Sequence, residues 1–137
     1  MHAADKSDSF GLSTIGQIAL PVTDLDRAVQ YYRDRLGLAF LFQAPPALAF
    51  FDCAGLRLML DRANPDAAPG GGGRGGGGTI IYFKVEDLDA AYDQLASRGV
   101  VFDDAPHLIH KAPDHELWMC FFHDSEGNLL ALMSEVR

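Results

Sequence analysis

The side chains best suited to chemistry gather late in the chain, where His107, His110 and His115 run together with Asp114 and Glu116. Imidazole and carboxylate are the donors a borderline cation takes, so a His-x-x-His pair beside an acid has the ligand types of a zinc-like site. Pro106 and Pro113 bracket the segment, and proline interrupts the helical period that would converge two histidines on one face. The expectation is therefore an irregular loop with exposed histidines. His123, beside Asp124, is expected in a turn or surface role. Cys53 and Cys120 stand apart with no Cys-x-x-Cys spacing and read as free thiols of a reducing cytoplasm. Asn64 to Gly78 includes Pro65, Pro69 and a nearly unbroken glycine run interrupted by Arg74. A phosphate-cradling loop needs Gly-Lys-Ser/Thr or G-x-G-x-x-G between a strand and a helix. Here a strand pattern begins at Thr79, so a mobile connector is expected instead. No Ser-His-Asp or Cys-His constellation is recognisable, and catalytic residues stay unassigned.

The elements that must position these groups come from an ordinary globular composition. At 137 residues the chain is one domain with room for a core. A net charge of -8 argues against a nucleic-acid surface, which needs clustered Lys and Arg. No run approaches the roughly 20 apolar residues of a membrane span. Met1 to Ser13 carries Asp5, Lys6 and Asp8 without an apolar stretch, so residues 1–13 are expected to be a disordered tail, with no signal peptide and a cytoplasmic location.

The rest of the chain says one thing twice. Ile18, Leu20 and Val22 alternate with Gln17, Ala19 and Pro21, the period of a half-buried strand. Asp24 then caps a helix whose apolar residues Leu25, Ala28, Val29 and Tyr32 share one face, and Gly37 ends it. Ile81, Phe83 and Val85 alternate likewise, Asp87 caps Leu88, Ala91, Tyr92 and Leu95, and Gly99 follows. Val22 through Tyr32 map onto Val85 through Leu95 at one offset. Strands are expected at Phe40 to Phe42, Ala47 to Phe51 and Leu56 to Leu60, separated by Pro45-Pro46 and the Asp52 to Gly55 turn. Their counterparts are Val100 to Phe102, Leu117 to Phe122 and Leu129 to Met133. Asp124-Ser125-Glu126-Gly127-Asn128 reads as a plain hairpin turn. The prediction is an α+β fold of two βαβββ modules, residues 14–62 and 79–137, joined by the connector at 63–78.

Val22-x-Asp24-Leu25-Asp26-Arg27-Ala28-x-x-Tyr31-Tyr32, followed by Leu36-Gly37-Leu38, resembles the opening of the vicinal oxygen chelate superfamily. That group includes glyoxalase I, bleomycin-resistance proteins and extradiol dioxygenases. The stretch from Trp118 to Leu132 resembles the family's close, with Ser125 where proline is usual. The resemblance implies two modules whose curved mixed sheets enclose a cavity with helices outside, and a homodimer. In metal-dependent relatives it also implies four ligand positions, which fall here on Gln17, Met59, Ile80 and Ala131. One amide beside a thioether and two hydrocarbon side chains does not hold a hard or borderline cation. No metal site and no cofactor are therefore expected.

Strand alternation then assigns the cavity lining. Gln17, Ala19, Arg57, Met59, Ile80, Tyr82, Lys84, Leu129, Ala131 and Met133 should point inward, with Trp118 at the rim on either face. An apolar concave surface with sparse polar heads suits a small organic molecule, and Arg57 could pair with a carboxylate or phosphate. The expected function is metal-free binding of a small organic ligand. The alternative is a metal-dependent lyase, isomerase or dioxygenase that joins Gln17 to ligands from the His107 to Glu116 segment.

Overall fold

The structure is a computed structural model that describes residues 9–44, 47–62 and 78–137. The expected tail at 1–8, the Pro45-Pro46 break and nearly all of the glycine connector lie outside the described residues. Phe10 to Gly16 is exposed and without regular structure. No helix among the described residues is long and apolar enough to cross a membrane.

The first module runs β1 (Gln17–Pro21), α1 (Leu25–Gln30), β2 (Ala39–Ala44), β3 (Leu48–Cys53) and β4 (Leu56–Asp61). The second runs β5 (Ile81–Lys84), α2 (Leu88–Ser97), β6 (His107–Lys111), β7 (Glu116–His123) and β8 (Leu129–Val136). Each forms a four-stranded mixed sheet, ordered β1-β4-β3-β2 and β5-β8-β7-β6. The first strand of each lies parallel to the last, and the other pairs are antiparallel. Among the described residues no strand pair joins the two sheets, and no barrel closes.

Both helices start as their sequences dictate. The Asp24 carboxylate accepts from Arg27 N at 3.1 Å, and Asp87 accepts from Ala90 N at 3.0 Å. They end differently. After Gln30 the first helix widens into a π-turn, Tyr31–Arg35, in which Leu36 N donates to Tyr31 O at 3.1 Å. Leu38 N then reaches Tyr32 O, whereas in the second module Val100 N reaches Leu95 O, both at 3.0 Å. The first closure spans one residue more. The repeat offset that holds from Val22 to Tyr32 accordingly slips by one at Gly37 and Gly99, whose φ values of 78° and 95° still terminate both helices. An inserted residue was absorbed as a π-turn.

One strand departs from expectation. Val100 to Phe102 is no strand: only Phe102 bridges to Phe122. The Asp104 carboxylate takes the Phe121 N–H at 2.8 Å, which draws the chain out of the ladder there. The edge strand forms instead at His107–Lys111, the segment expected to be irregular. Pro106 and Pro113 flank that strand rather than interrupt it, a position where proline's missing N–H costs no ladder bond.

A single apolar core joins the modules on the helix side of both sheets. Leu20, Tyr32, Phe51, Leu58 and Leu60 cluster with Cys120, Phe122, Leu130 and Leu132. Each large side chain so buried contributes about 1.5–3 kcal/mol. The 124–128 turn, expected to be a plain hairpin, also locks the modules together. Glu126, its side chain 1% exposed, accepts from Thr23 N and Thr23 Oγ1 at 2.8 Å and from Asp24 N at 3.0 Å. It thereby holds the entry to α1. Burial would raise its carboxyl, but these bonds and Arg27 outweigh burial and hold it below the usual range. Buried Asp124 accepts from Tyr32 Oη, Asn128 Nδ2, Asn128 N and Glu126 N. Burial, with Asp124 adding to it, pushes Tyr32 well above the ordinary phenol value and Tyr31 up to about 12. Both phenols stay protonated donors.

Candidate functional site: the open sheet faces

The side of each sheet away from its helix is largely open: Gln17, Ala19, Arg57 and Tyr82 are exposed there, while Phe50 and Ala131 are buried among their neighbours. On the first sheet, Gln17 stands opposite Arg57 and Ala19 opposite Met59. Ile18, Leu20, Leu58 and Leu60 turn into or against the core, so the alternation assigned these faces as the structure has them. The sequence reading missed the aromatic part of this face. Phe50 lies opposite Met59 and stacks on Phe42, with centroids 4.6 Å apart. The Arg57 guanidinium sits 5.8 Å above the Phe50 ring, in cation–π range. Phe50 was legible as the odd residue between core-facing Ala49 and Phe51. Phe42 was not, because a bulge between Phe40 and Phe42 inverts the parity of β2.

The second sheet repeats the plan. Tyr82 pairs with Ala131 and Lys84 with Met133, while Met119 and Phe121 lie opposite Met133 and Ala131. Tyr82 meets the Phe121 ring edge-on at 6.0 Å. Leu129 shares this parity, and Lys84 Nζ reaches Glu135 at 3.5 Å. A bulge between Leu108 and His110 brings His107 opposite Met119 and His110 opposite Leu117. Both histidines therefore fall on the open side of the register, although His107 Nδ1 is 3.0 Å from Ala105 O and 3.4 Å from Asp104 Oδ2. His115 lies apart, its Nδ1 2.8 Å from Asp114.

Trp118 does not belong with these residues. It shares parity with Cys120 and Phe122, packs against the core, and donates from Nε1 to Glu116 at 3.1 Å. Ile80, Tyr82 and Lys84 also line a cleft of about 710 Å³ between β5, Gly37 to Ala39 and the 52–56 turn. The other expected cavity residues are not among those that line that cleft. Cys53, in its wall, has a thiol raised by burial and by Asp52, and burial carries Cys120 up to about 11. Neither is an activated nucleophile.

The four positions that the resemblance marks for a metal do not fit one. The Gln17 amide nitrogen points at Met59 Sδ at 3.8 Å. Ala131 is fully buried and offers a methyl group, and Ile80 offers hydrocarbon. Among the described residues, no three His, Cys, Asp or Glu side chains converge as ligands.

Comparison with known proteins agrees with this architecture. The model of the Glyoxalase/Bleomycin resistance protein/Dioxygenase superfamily matches residues 14–132. Uncharacterized protein YraH of Bacillus subtilis (strain 168) is 29% identical over 126 residues, covering 85% of this chain and 94% of that one. Lactoylglutathione lyase from Agrobacterium tumefaciens superposes with a TM-score of 0.66 at 24% identity, covering 90% of this chain and 94% of that one. TnmS3, an antibiotic binding protein from Streptomyces sp. CB03234, superposes at 0.70 with 22% identity, covering 92% and 98%. These two likenesses bear on the fold alone.

Proposed function

The chain belongs to the Glyoxalase/Bleomycin resistance protein/Dioxygenase superfamily, and from that premise we propose that it binds a small, largely apolar organic ligand on its open sheet faces without a hard divalent cation. The observation that carries the reading is the pairing of a failed donor set with a prepared aromatic surface. Gln17, Met59, Ile80 and Ala131 cannot ligate such an ion, while Phe42 on Phe50 beneath Arg57 offers a flat ring a stacking partner and a cation. Phe42 and Tyr82 are 48% and 41% exposed. Rings left uncovered this way suit both a ligand and a second copy of the chain, and the reading includes a homodimer that buries them. The antibiotic-binding activity named for TnmS3 is of the same kind. The free cysteines suit a reducing, cytoplasmic setting.

Elemental analysis of protein purified without chelator, run beside thermal shift against a panel of planar antibiotics and aromatic metabolites, tests this. The expected result is substoichiometric metal, with a stabilising hit that Phe50→Ala weakens about tenfold. One metal per chain, lost in Gln17→Ala, overturns it. A second reading, a metal-dependent lyase, isomerase or dioxygenase, draws on the β6 bulge that turns His107 and His110 toward the open side. Retained metal lost in His110→Ala would favour that reading.

A further inference from the structure

A separate cleft, also about 710 Å³, opens at the module junction between the exposed side of α1, the segment after α2 and the β7–β8 turn. We propose that it binds a small molecule bearing an oxyanion, a carboxylate or a phosphate. The site owes nothing to the open faces and stands independently of their reading.

Its cationic wall is built from the repeat. Arg35 stands to Arg98 as Val22 stands to Val85. Each reaches across to the other module: Arg35 Nη1 donates to Gly99 O at 3.0 Å, and Arg98 Nη1 to Arg35 O at 3.3 Å. Each guanidinium also lies over a bare glycine. A Cβ on Gly99 would come within 2.6 Å of Arg35 Nη1, and one on Gly37 within 3.0 Å of Arg98 Nη1. The glycines that end the two helices thus double as cradles that fix the two cations.

A carbonyl uses one of the five N–H groups of a guanidinium and leaves its charge in place. Arg27, Arg33 and Arg137 each pair with a carboxylate. Among the described residues, Arg35 and Arg98 have only their carbonyls. The acids lining the cleft are already committed, Asp34 to Arg33 at 2.8 Å and Asp124 to its own turn and Tyr32. The opposite wall holds Ser125, whose buried Oγ is the only such side-chain atom without a hydrogen-bond partner among the described residues. A buried hydroxyl left unsatisfied is uncommon, and this one belongs to a residue of the cleft wall. Two anchored guanidiniums and a spare hydroxyl lining one cleft are the groups that carboxylate and phosphate recognition uses.

The test titrates the ¹⁵N-labelled full chain with inorganic phosphate and, separately, succinate, with sodium chloride holding ionic strength constant. Saturable amide shifts are expected at Tyr31 to Gly37, Arg98 to Val101 and His123 to Glu126, and the tighter anion identifies the ligand class. Arg35→Gln with Arg98→Gln should abolish them. Because that pair also clasps the modules, Val101→Glu is the cleaner variant: Val101 is 79% exposed on the cleft wall, and the carbonyls that anchor the arginines belong to Gly99 and Arg35. It should weaken the anion about tenfold with the fold intact. Linear, unsaturable shifts with both anions, shifts scattered over the surface, or a Val101→Glu protein that titrates like the parent would each overturn the proposal.

Discussion

The two hairpin turns that close the sheets occupy equivalent places in the repeat, yet they do different work. In the first module the turn is Asp52-Cys53-Ala54-Gly55, and the Asp52 carboxylate accepts from Gly55 N at 3.2 Å. In the second it is Asp124-Ser125-Glu126-Gly127, and Asp124 accepts from Glu126 N, two residues on rather than three, and from Asn128 N, both at 2.8 Å. The aspartate organises its own loop in both. Only the second turn also carries Glu126 into the N-terminus of α1 and presents Asp124 to Tyr32. The first has alanine where Glu126 stands and lines the cleft beside β5. Duplication supplied two copies of a turn; one became the joint between modules and the other stayed a loop.

If the second turn is that joint, its aspartate should be the costliest residue in either loop. Asp124→Ala would remove the carboxylate that accepts from Tyr32 Oη, Asn128 Nδ2, Asn128 N and Glu126 N at a buried place. A loss of about 3–5 kcal/mol is expected, read as a lower urea midpoint. Asp52→Ala, in the exposed first turn, should cost about 1 kcal/mol. Equal losses would break the comparison.

Glu126 sharpens it through pH. Its carboxyl is held below its ordinary value of 4.5 in the folded state, so the unfolded chain binds the proton more readily. The stabilisation it supplies is therefore complete above about pH 5 and drains as pH falls through the lowered folded value. Glu126→Gln should cost about 1–2 kcal/mol at neutral pH and flatten the acid limb of the stability profile below pH 4.5. A parallel profile in the variant would place the acid sensitivity elsewhere.

How much of this could be read from sequence follows from range. Asp24, Asp87, Gly37 and Gly99 act on neighbours a few residues away, so helix starts and stops were legible. So was the parity of β1, β4, β5 and β8, where strict alternation separates Leu58 and Leu60 from Arg57 and Met59. Parity failed where a bulge entered β2, which hid Phe42, and where a single residue had to choose a side, as with Trp118. The loop expected around His107 was a strand because both prolines flank it. Asp124, Glu126 and the Arg35–Arg98 clasp were illegible for another reason. Their partners lie far along the chain, and nothing in the local pattern of a turn announces what it will dock against.

The smallest effect tests the first turn alone. Ala54 and Gly55 form a two-residue connection with φ of 54° and 94°. Two successive positive values are the geometry for which Asn-Gly is favoured, because it matches the twist of the flanking strands. Alanine is strained there by its Cβ, whereas asparagine tolerates the left-handed region and glycine would add freedom to the unfolded chain. Ala54→Asn should therefore stabilise the protein by about 0.5–1 kcal/mol, measured as a higher urea midpoint. Ala54 is exposed, so no packing stands to be lost. The same asparagine at Glu126 should destabilise, because that position holds a helix N-terminus of the other module rather than a strained backbone. Opposite signs for one residue type at two equivalent sites would separate a loop that is free to be idealised from one already committed to its neighbour.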